Sequence, residues 1–273
     1  MAKLYIVGTP IGNLGDISTR CLETLASVDF IACEDTRVTS KLLARYDIKK
    51  PLISYYEHNR AEKGQYIASR IAAGENCALV TDAGTPAISD PGTDLVKICQ
   101  EHELDVVAVP GPSAVISALS ISGMDCGRFC FEGFLSVNNK SRREHLEDIK
   151  DEKRTMVFYE APHKLLRTLK DFYATLGDRE IALCREITKI HEEVFKTTLC
   201  KAVEHYEENP PKGEFVLIIA GKSEDETEEV EVDGIALVNA LVEEGMSTRD
   251  AVKQIAKQYN LNKNQLYKDV TSQ

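Results

Sequence analysis

The runs Cys77-Ala-Leu-Val-Thr81 and Val106-Val-Ala-Val109 read as strands that are apolar on both faces, and each stands beside amphipathic stretches. A strand with no polar face must be covered on both sides. Strands of this kind between helices therefore point to a parallel sheet sandwiched by helices. Leu4-Tyr-Ile-Val7, Phe30-Ile-Ala-Cys33 and Leu52-Ile-Ser54 supply further strands. Helices are expected over 16–28, 38–46, 61–73 and 93–102, with Gly74 ending the third. Cys21, Leu22, Leu25 and Val28 share the inner face of the first helix.

The texture changes after Pro112. A helix over 113–122 leads to the aromatic-rich strand Phe129-Cys-Phe-Glu-Gly-Phe134. Strands follow over 155–159, 180–184, 192–197 and 214–220, with helices over 140–149 and 163–176. Glu192-Glu-Val-Phe-Lys-Thr197 alternates, which suits a half-exposed antiparallel position. The expected organisation is an α/β chain with a parallel-sheet domain over 1–111 and a second, mixed-sheet α/β domain over 112–222. An acidic linker over 223–233 then leads to a helical unit over 234–273.

Charge sharpens the reading of the C-terminal end. The formal net charge of −11 argues against a protein that coats nucleic acid nonspecifically. Seven of the negative charges lie between Ser223 and Gly234, with no basic residue among them. Beyond Met246 the balance reverses, with Arg249, Lys253, Lys257, Lys263 and Lys268 against Asp250 and Asp269. Helices are expected over 235–244, closed by Gly245, then 249–258 with Ser247 as N-cap, then from a cap at Asn262 through Tyr267. This unit reads either as a helix-turn-helix module or as a small packing bundle.

No apolar run reaches the ~20 residues of a membrane-spanning helix. The start lacks a signal-peptide pattern, so a cytoplasmic location without membrane association is expected. The eight cysteines show no paired zinc spacing; reduced, buried thiols and no bound metal are the expectation.

Four loops follow strand ends, where open α/β sheets bind ligands. The first, Gly8-Thr-Pro-Ile-Gly-Asn-Leu-Gly15, opens a helix but matches neither the P-loop nor the dinucleotide fingerprint. Taken alone, it reads as a simple turn. The second, Glu34-Asp-Thr-Arg37, clusters two carboxylates, a hydroxyl and a guanidinium, although Asp35 as a helix cap paired with Arg37 explains it equally. The third runs from Thr81 to Gly92 through Asp82-Ala-Gly-Thr-Pro86 and Ser89-Asp-Pro-Gly92. Its small side chains make a wall of backbone amides and carbonyls. The fourth is the rigid turn Val109-Pro-Gly-Pro-Ser113.

In this order the four loops resemble those of the tetrapyrrole methylase superfamily. Tyr56-Glu-His-Asn59, Phe131-Glu-Gly-Phe134, Tyr159-Glu-Ala-Pro-His163 and Cys184-Arg-Glu-Ile-Thr-Lys189 extend the resemblance towards its RNA-methylating branch. Ala83-Gly-Thr-Pro86 stands where porphyrin and corrin methylases usually carry Ser-Gly-Asp-Pro, which shifts the expected acceptor from a macrocycle to RNA.

The resemblance implies the two-domain fold of that superfamily, a homodimer, and S-adenosylmethionine bound in a cleft between the domains. The matching positions are Pro10, Asp82, Ala83, Gly84, Thr85, Ile88, Ser113, Ala114, Tyr159, Glu214 and Phe215. It implies 2′-O-methylation of a cytidine ribose in the decoding region of 16S rRNA, free or in the small ribosomal subunit. A ribose hydroxyl needs a base, or a cation beside the forming alkoxide. Residue type nominates Asp35, Lys189, Glu34 and His58 for that work. Asn13, Arg37, Arg185, Lys140, Arg142 and Arg143 are nominated for RNA contact. Two rivals remain at this point: a porphyrin or corrin methylase, and a ligand-sensing regulator that binds DNA through its C-terminal helices.

Overall fold

The computed structural model describes residues 2–223, 234–243, 245–259 and 263–271. They fall into two compact units, residues 1–222 and 223–273.

The first unit contains two five-stranded sheets. In the first sheet, β1 (Lys3–Val7), β2 (Phe30–Cys33), β3 (Leu52–Ser54), β4 (Cys77–Val80) and β5 (Asp105–Val109) lie in the order β3-β2-β4-β1-β5. Every pairing in it is parallel. Helices α1 (Thr19–Ser27), α2 (Thr36–Arg45), α3 (Arg60–Ala72) and α4 (Gly92–Glu101) connect its strands.

The strand pattern explains the layering. Cys77 and Leu79 of β4 pack with Leu4, Phe30, Ile67 and Leu95 on one face. Ala78 and Val80 pack with Val7, Cys21, Leu25 and Leu43 on the other. The expectation of a doubly covered strand is met in β4, whose four residues are all buried. It is not met in β5. That strand lies at the sheet edge, with Asp105 and Ala108 exposed. Val106 packs on one face and Val109 is buried on the other, but with a single neighbouring strand the covering is partial.

The second sheet is mixed. Its strands are β6 (Phe129–Gly133), β7 (Thr155–Glu160), β8 (Glu180–Arg185), β9 (Glu193–Thr198) and β10 (Phe215–Ile219), in the order β6-β7-β10-β8-β9. Only β6 and β7 pair in parallel; the other three pairings are antiparallel. The alternating segment near Glu192 is the antiparallel edge strand β9, as expected. Helix α5 (Ala114–Ser122) covers the face made by Val157, Ala182, Val216 and Ile218. Helices α6 (Asn139–Asp148), α7 (Pro162–Leu176) and α8 (Leu199–Glu208) cover the face made by Met156, Phe158, Leu183 and Leu217.

Two local differences from expectation have plain causes. The helix expected from Asp16 is a short 3-10 turn, Leu14–Asp16, followed by α1. The break falls at Ser18, whose hydroxyl accepts from the Cys21 amide and caps α1. Helix α8 was not anticipated. It begins directly after β9, with no loop and no side-chain cap, although Leu199, Ala202, Val203 and Tyr206 carry helical spacing.

The second unit is a three-helix cluster: α9 (Gly234–Glu243), α10 (Thr248–Gln258) and α11 (Lys263–Thr271), around Val238, Ala251, Val252, Ile255 and Leu266. Gly245 follows α9 with φ +98°, and Ser247 caps α10 by accepting from the Asp250 amide. Helix α11 runs past Tyr267 to Thr271. The acidic run 224–233 and the cap expected at Asn262 lie outside the described residues.

Candidate active site

The four loops singled out in the sequence leave the carboxyl ends of β1, β2, β4 and β5, which the parallel sheet brings to one edge. Main-chain contacts lock them together. The Thr9 amide donates to the Gly84 carbonyl at 2.9 Å, and the Gly84 amide returns to the Thr9 carbonyl at 3.1 Å. Gly84 is at φ +86°, in the left-handed region where glycine carries no Cβ penalty. Gly8 and Gly111 pass so closely that a Cβ on Gly111 would stand 2.7 Å from the Gly8 carbonyl oxygen. The Thr85 hydroxyl donates to the Pro112 carbonyl at 3.2 Å, which a carboxylate at this position could not do. The second and third loops meet through the Thr81 hydroxyl, which donates to Glu34 at 2.9 Å, and the Asp35 amide, which donates to Asp82 at 3.2 Å.

From the second sheet, the carboxyl ends of β7 and β8 and the amino end of β10 arrive at one place, because Phe215 is paired with both Glu160 and Arg185. Between these strand ends and the loops lies a cavity of about 390 Å³. Ala83, Gly84, Thr85, Ile88, Ser113 and Ala114 line one side, and Tyr159, Glu214 and Phe215 line the other. Glu34 and Lys189 also reach it. Pro10 and Asp82 do not line it; Ile11 does, while Asp82 braces the second loop.

The remaining nominated residues lie elsewhere. Asp35 caps α2 through the Arg37 amide and forms a forked pair with the Arg37 guanidinium, 2.6 Å at its shorter contact. The Arg37 side chain and amide hold the Asp35 carboxyl down at about 2, and Asp35 does not line the cavity. Its contacts are those of a cap and an ion pair. His58 is exposed and stacks edge-on against Tyr56 outside the cavity. Asn13 caps the 3-10 turn through the Gly15 amide. Arg185 pairs with Glu193 across β8 and β9 at 2.8 Å.

Arg142 corrects the expectation of RNA contact, because it points inwards. It is 5% exposed and donates to Asp171 at 2.6 Å and to the Thr168 hydroxyl at 2.8 Å. Thr168 in turn donates to Glu160, whose other oxygen accepts from the Ala161 amide. A buried polar chain therefore runs from α6 to the cavity wall. Lys140 and Arg143, in the same helix, are exposed.

Lys189 holds the most constrained position. Its ammonium donates to Glu186 and to Glu214, each at 2.8 Å. Burial would lower its pKa, but the two carboxylates outweigh that and hold it above the ordinary lysine value. Lys189 is thus a fixed cation rather than a proton acceptor. Glu186 and Thr188 both have positive φ, at 50° and 66°, and Ala87 beside Ile88 has φ 67°. Left-handed non-glycine backbone is costly, and here it gathers around the cavity.

Sequence reasoning missed Ile11, Asp90, Phe134, Glu160 and Glu186 as cavity residues. Phe134, Glu160 and Glu186 lay within quoted motifs without being assigned a role, so motif membership was the available signal. Glu34, Asp90, Glu160, Glu186 and Glu214 stand against one lysine among the described lining residues. Small walls and surplus negative charge suit a ligand of net positive charge that is held by backbone groups.

A model described as Tetrapyrrole (Corrin/Porphyrin) Methylases matches residues 3–202. The chain belongs to this family. A second model, described as the RsmI C-terminal HTH domain, matches residues 228–269. Curated relatives narrow the family further. The chain is 45% identical to Ribosomal RNA small subunit methyltransferase I of Synechocystis sp., over 98% of this chain and 96% of that one. It is 46% identical to the protein of the same name from Haemophilus influenzae, over 97% and 94%. The namesake from Thermotoga maritima is 47% identical over 222 residues, which are 81% of this chain and all of that one.

Tetrapyrrole methylase folds also appear among solved structures. A diphthine synthase superposes with TM-score 0.62 at 14% identity, covering 81% of this chain and 91% of its own. Cobalt precorrin-4 methyltransferase superposes with TM-score 0.60 at 18% identity, covering 80% and 94%. These likenesses show the fold alone.

Proposed function

We propose that this chain methylates the ribose 2′-hydroxyl of a cytidine in 16S rRNA with S-adenosylmethionine. The observation that carries the reading is its near full-length identity to relatives named Ribosomal RNA small subunit methyltransferase I, combined with a cavity walled by the matching loops. Neither rival gains a specific observation. Thr85 is spent on joining two loops, and the three C-terminal helices append to a complete α/β unit.

S-adenosylmethionine supplies a methyl group on a positively charged sulfur. Ala83, Gly84, Thr85, Ile88, Ser113, Ala114, Tyr159, Glu214 and Phe215 are the residues that would hold it. The acid-lined cavity complements its net positive charge. The locked loops align donor and acceptor, so that the ribose oxygen attacks in line. When bound, S-adenosylmethionine would supply a methyl carbon from which sulfur departs with the bonding electron pair as the ribose oxygen bonds to it, and the hydroxyl proton would pass to water or a nearby carboxylate. Lys189 stabilises the developing negative oxygen. Glu34, hydrogen-bonded to Thr81 at the cavity wall, is the carboxylate best placed to receive the proton.

Lys140 and Arg143 gather phosphates beside the site. The enzyme works in the cytoplasm, where rRNA is made, and as a homodimer; Ile116 and Ile121 on the outer face of α5 offer it an apolar surface. Transfer of labelled methyl to small ribosomal subunits, with mapping of ribose methylation in cells lacking the protein, tests the reading. Loss of one 2′-O-methyl cytidine is expected. An unchanged map refutes the reading.

A further inference from the structure

Phe134 follows β6 directly and lines the cavity, yet it is 56% exposed. Single exposed apolar side chains are ordinary, and what sets Phe134 apart is its place on the cavity lining. Its ring is 5.4 Å from that of Tyr159, tilted by 54°, and Tyr159 is 5.0 Å from Phe131. Phe134 thus rests against a fixed aromatic base and cannot collapse inwards. Ile88, across the cavity on the third loop, is 58% exposed. The cavity mouth therefore carries one flat apolar ring facing solvent and one aliphatic side chain opposite.

The surroundings supply charge of the right sign. Asn138 caps α6 and presents its first turn, with Lys140 and Arg143 exposed. Arg167 of α7 donates to Asn139 at 2.8 Å, which brings a further exposed cation to that turn. Arg142 donates to the Ser136 carbonyl and ties the segment after Phe134 to the same helix. The acidic cavity is therefore bordered, on the Phe134 side, by Lys140, Arg143 and Arg167, with Glu144 beside Lys140 and Asp171 beside Arg167, each pair at 3.9 Å. An aromatic face with cations alongside is the arrangement that takes an unpaired nucleobase and its phosphates.

We infer that Phe134 is the stacking platform for the acceptor cytosine, which leaves its helical stack so that its ribose reaches the cavity mouth. The inference rests on the RNA-methylating reading. It names the residue that positions the acceptor, as distinct from those that hold the donor. Stacking of this type is sequence-tolerant in itself, so Phe134 supplies affinity and orientation while the surrounding groups select the base.

The chain has no tryptophan, so Phe134→Trp introduces a single indole, excited selectively over the ten tyrosines, that keeps an aromatic face. In the full-length protein its emission should be quenched by oligocytidylate and by 16S rRNA, and left unchanged by S-adenosylmethionine alone. Phe134→Ala should raise KM for small ribosomal subunits by about 5- to 100-fold, the range expected for losing one stacked base. Its calorimetric affinity for S-adenosylmethionine should stay within about twofold, a change worth only ~0.4 kcal/mol. Phe134→Tyr should restore KM, and Phe134→Leu should not. Quenching by the donor alone, or loss of donor affinity in Phe134→Ala, would overturn the inference and assign the ring to the donor wall. A fully active Phe134→Leu would overturn it too. Quenching by oligocytidylate needs no catalysis. Quenching of the Phe134→Trp protein by oligocytidylate, together with no methyl transfer to rRNA by the wild-type protein, would therefore sink the rRNA reading and leave nucleobase stacking at Phe134 standing.

Discussion

Gly111→Ala tests whether the donor cavity depends on how closely the first and fourth loops approach. A methyl at Gly111 would meet the Gly8 carbonyl oxygen at 2.7 Å and the Gly8 carbonyl carbon and Cα at 2.9 Å. All three are main-chain atoms of a loop fixed by β1, so no side chain can swing away. Gly111 has no positive φ, so the effect is purely one of space. Overpacking of this kind costs about 1–3 kcal/mol, and contact with immovable backbone places it near the top of that range, about 2–3 kcal/mol. In a unit of 222 residues that lowers Tm by about 5–10 °C. If the loops part instead of unfolding, the loss appears as weaker donor binding, because Ile11, Ser113 and Ala114 line the cavity from these loops. Gly123→Ala is the control. Gly123 sits at φ +65° with nothing within 4 Å of an added Cβ, so the change adds backbone strain of about 1 kcal/mol without touching the cavity. Thermal scans and calorimetry with S-adenosylmethionine read both variants. A Gly111→Ala protein with wild-type Tm and wild-type donor affinity would refute the argument.

Lys189→Met should slow methyl transfer at saturating donor by about 100-fold or more, since it removes a fixed cation; single-turnover rates showing less than a twofold change would exclude that role. Thr168→Val should cost about 1–3 kcal/mol, because it interrupts the buried link between Arg142 and Glu160, and a denaturant midpoint equal to wild type would contradict this. The Asp35 carboxyl is lowered to about 2, so its stabilising contribution is complete above its ordinary value near 4 and is lost as pH falls through about 2. Carboxyl NMR should find its midpoint well below the other aspartates, and a midpoint near 4 would remove the forked pair from solution. A protein ending at Lys222 should fold and bind donor, since the Thermotoga maritima relative is matched in full over 222 residues, and should bind small subunits more weakly; equal affinity would assign the C-terminal helices another role.

The first sheet was readable because its signals are local. Cys77-Ala-Leu-Val80 announces double burial, and the ends of β1, β4 and β5 are marked by glycine or proline turns. Strand β5 misled because apolar composition does not distinguish an edge from a centre. The cavity wall was legible where small residues recur in motifs, as at Ala83, Gly84 and Ser113. Side chains that act through distant partners were not legible. Arg142 looks like any solvated arginine until Asp171 and Thr168, 29 and 26 residues away, turn it inwards. Asp35 offers sequence reasoning a carboxylate, and only the structure shows its fork with Arg37. Lys189 likewise needs Glu214, 25 residues on, to become a fixed cation.

The pair of main-chain hydrogen bonds between Thr9 and Gly84 has a consequence for how this enzyme can change over time. A floor made of peptide groups is indifferent to most side chains but intolerant of a lost glycine or a shifted loop length. Substitutions should therefore divide sharply: near-silent at many loop positions and severe at Gly8, Gly84 and Gly111. Phe134, an exposed side chain on the opposite wall, can change without disturbing that floor, so the cavity mouth is free to vary while its peptide floor stays fixed.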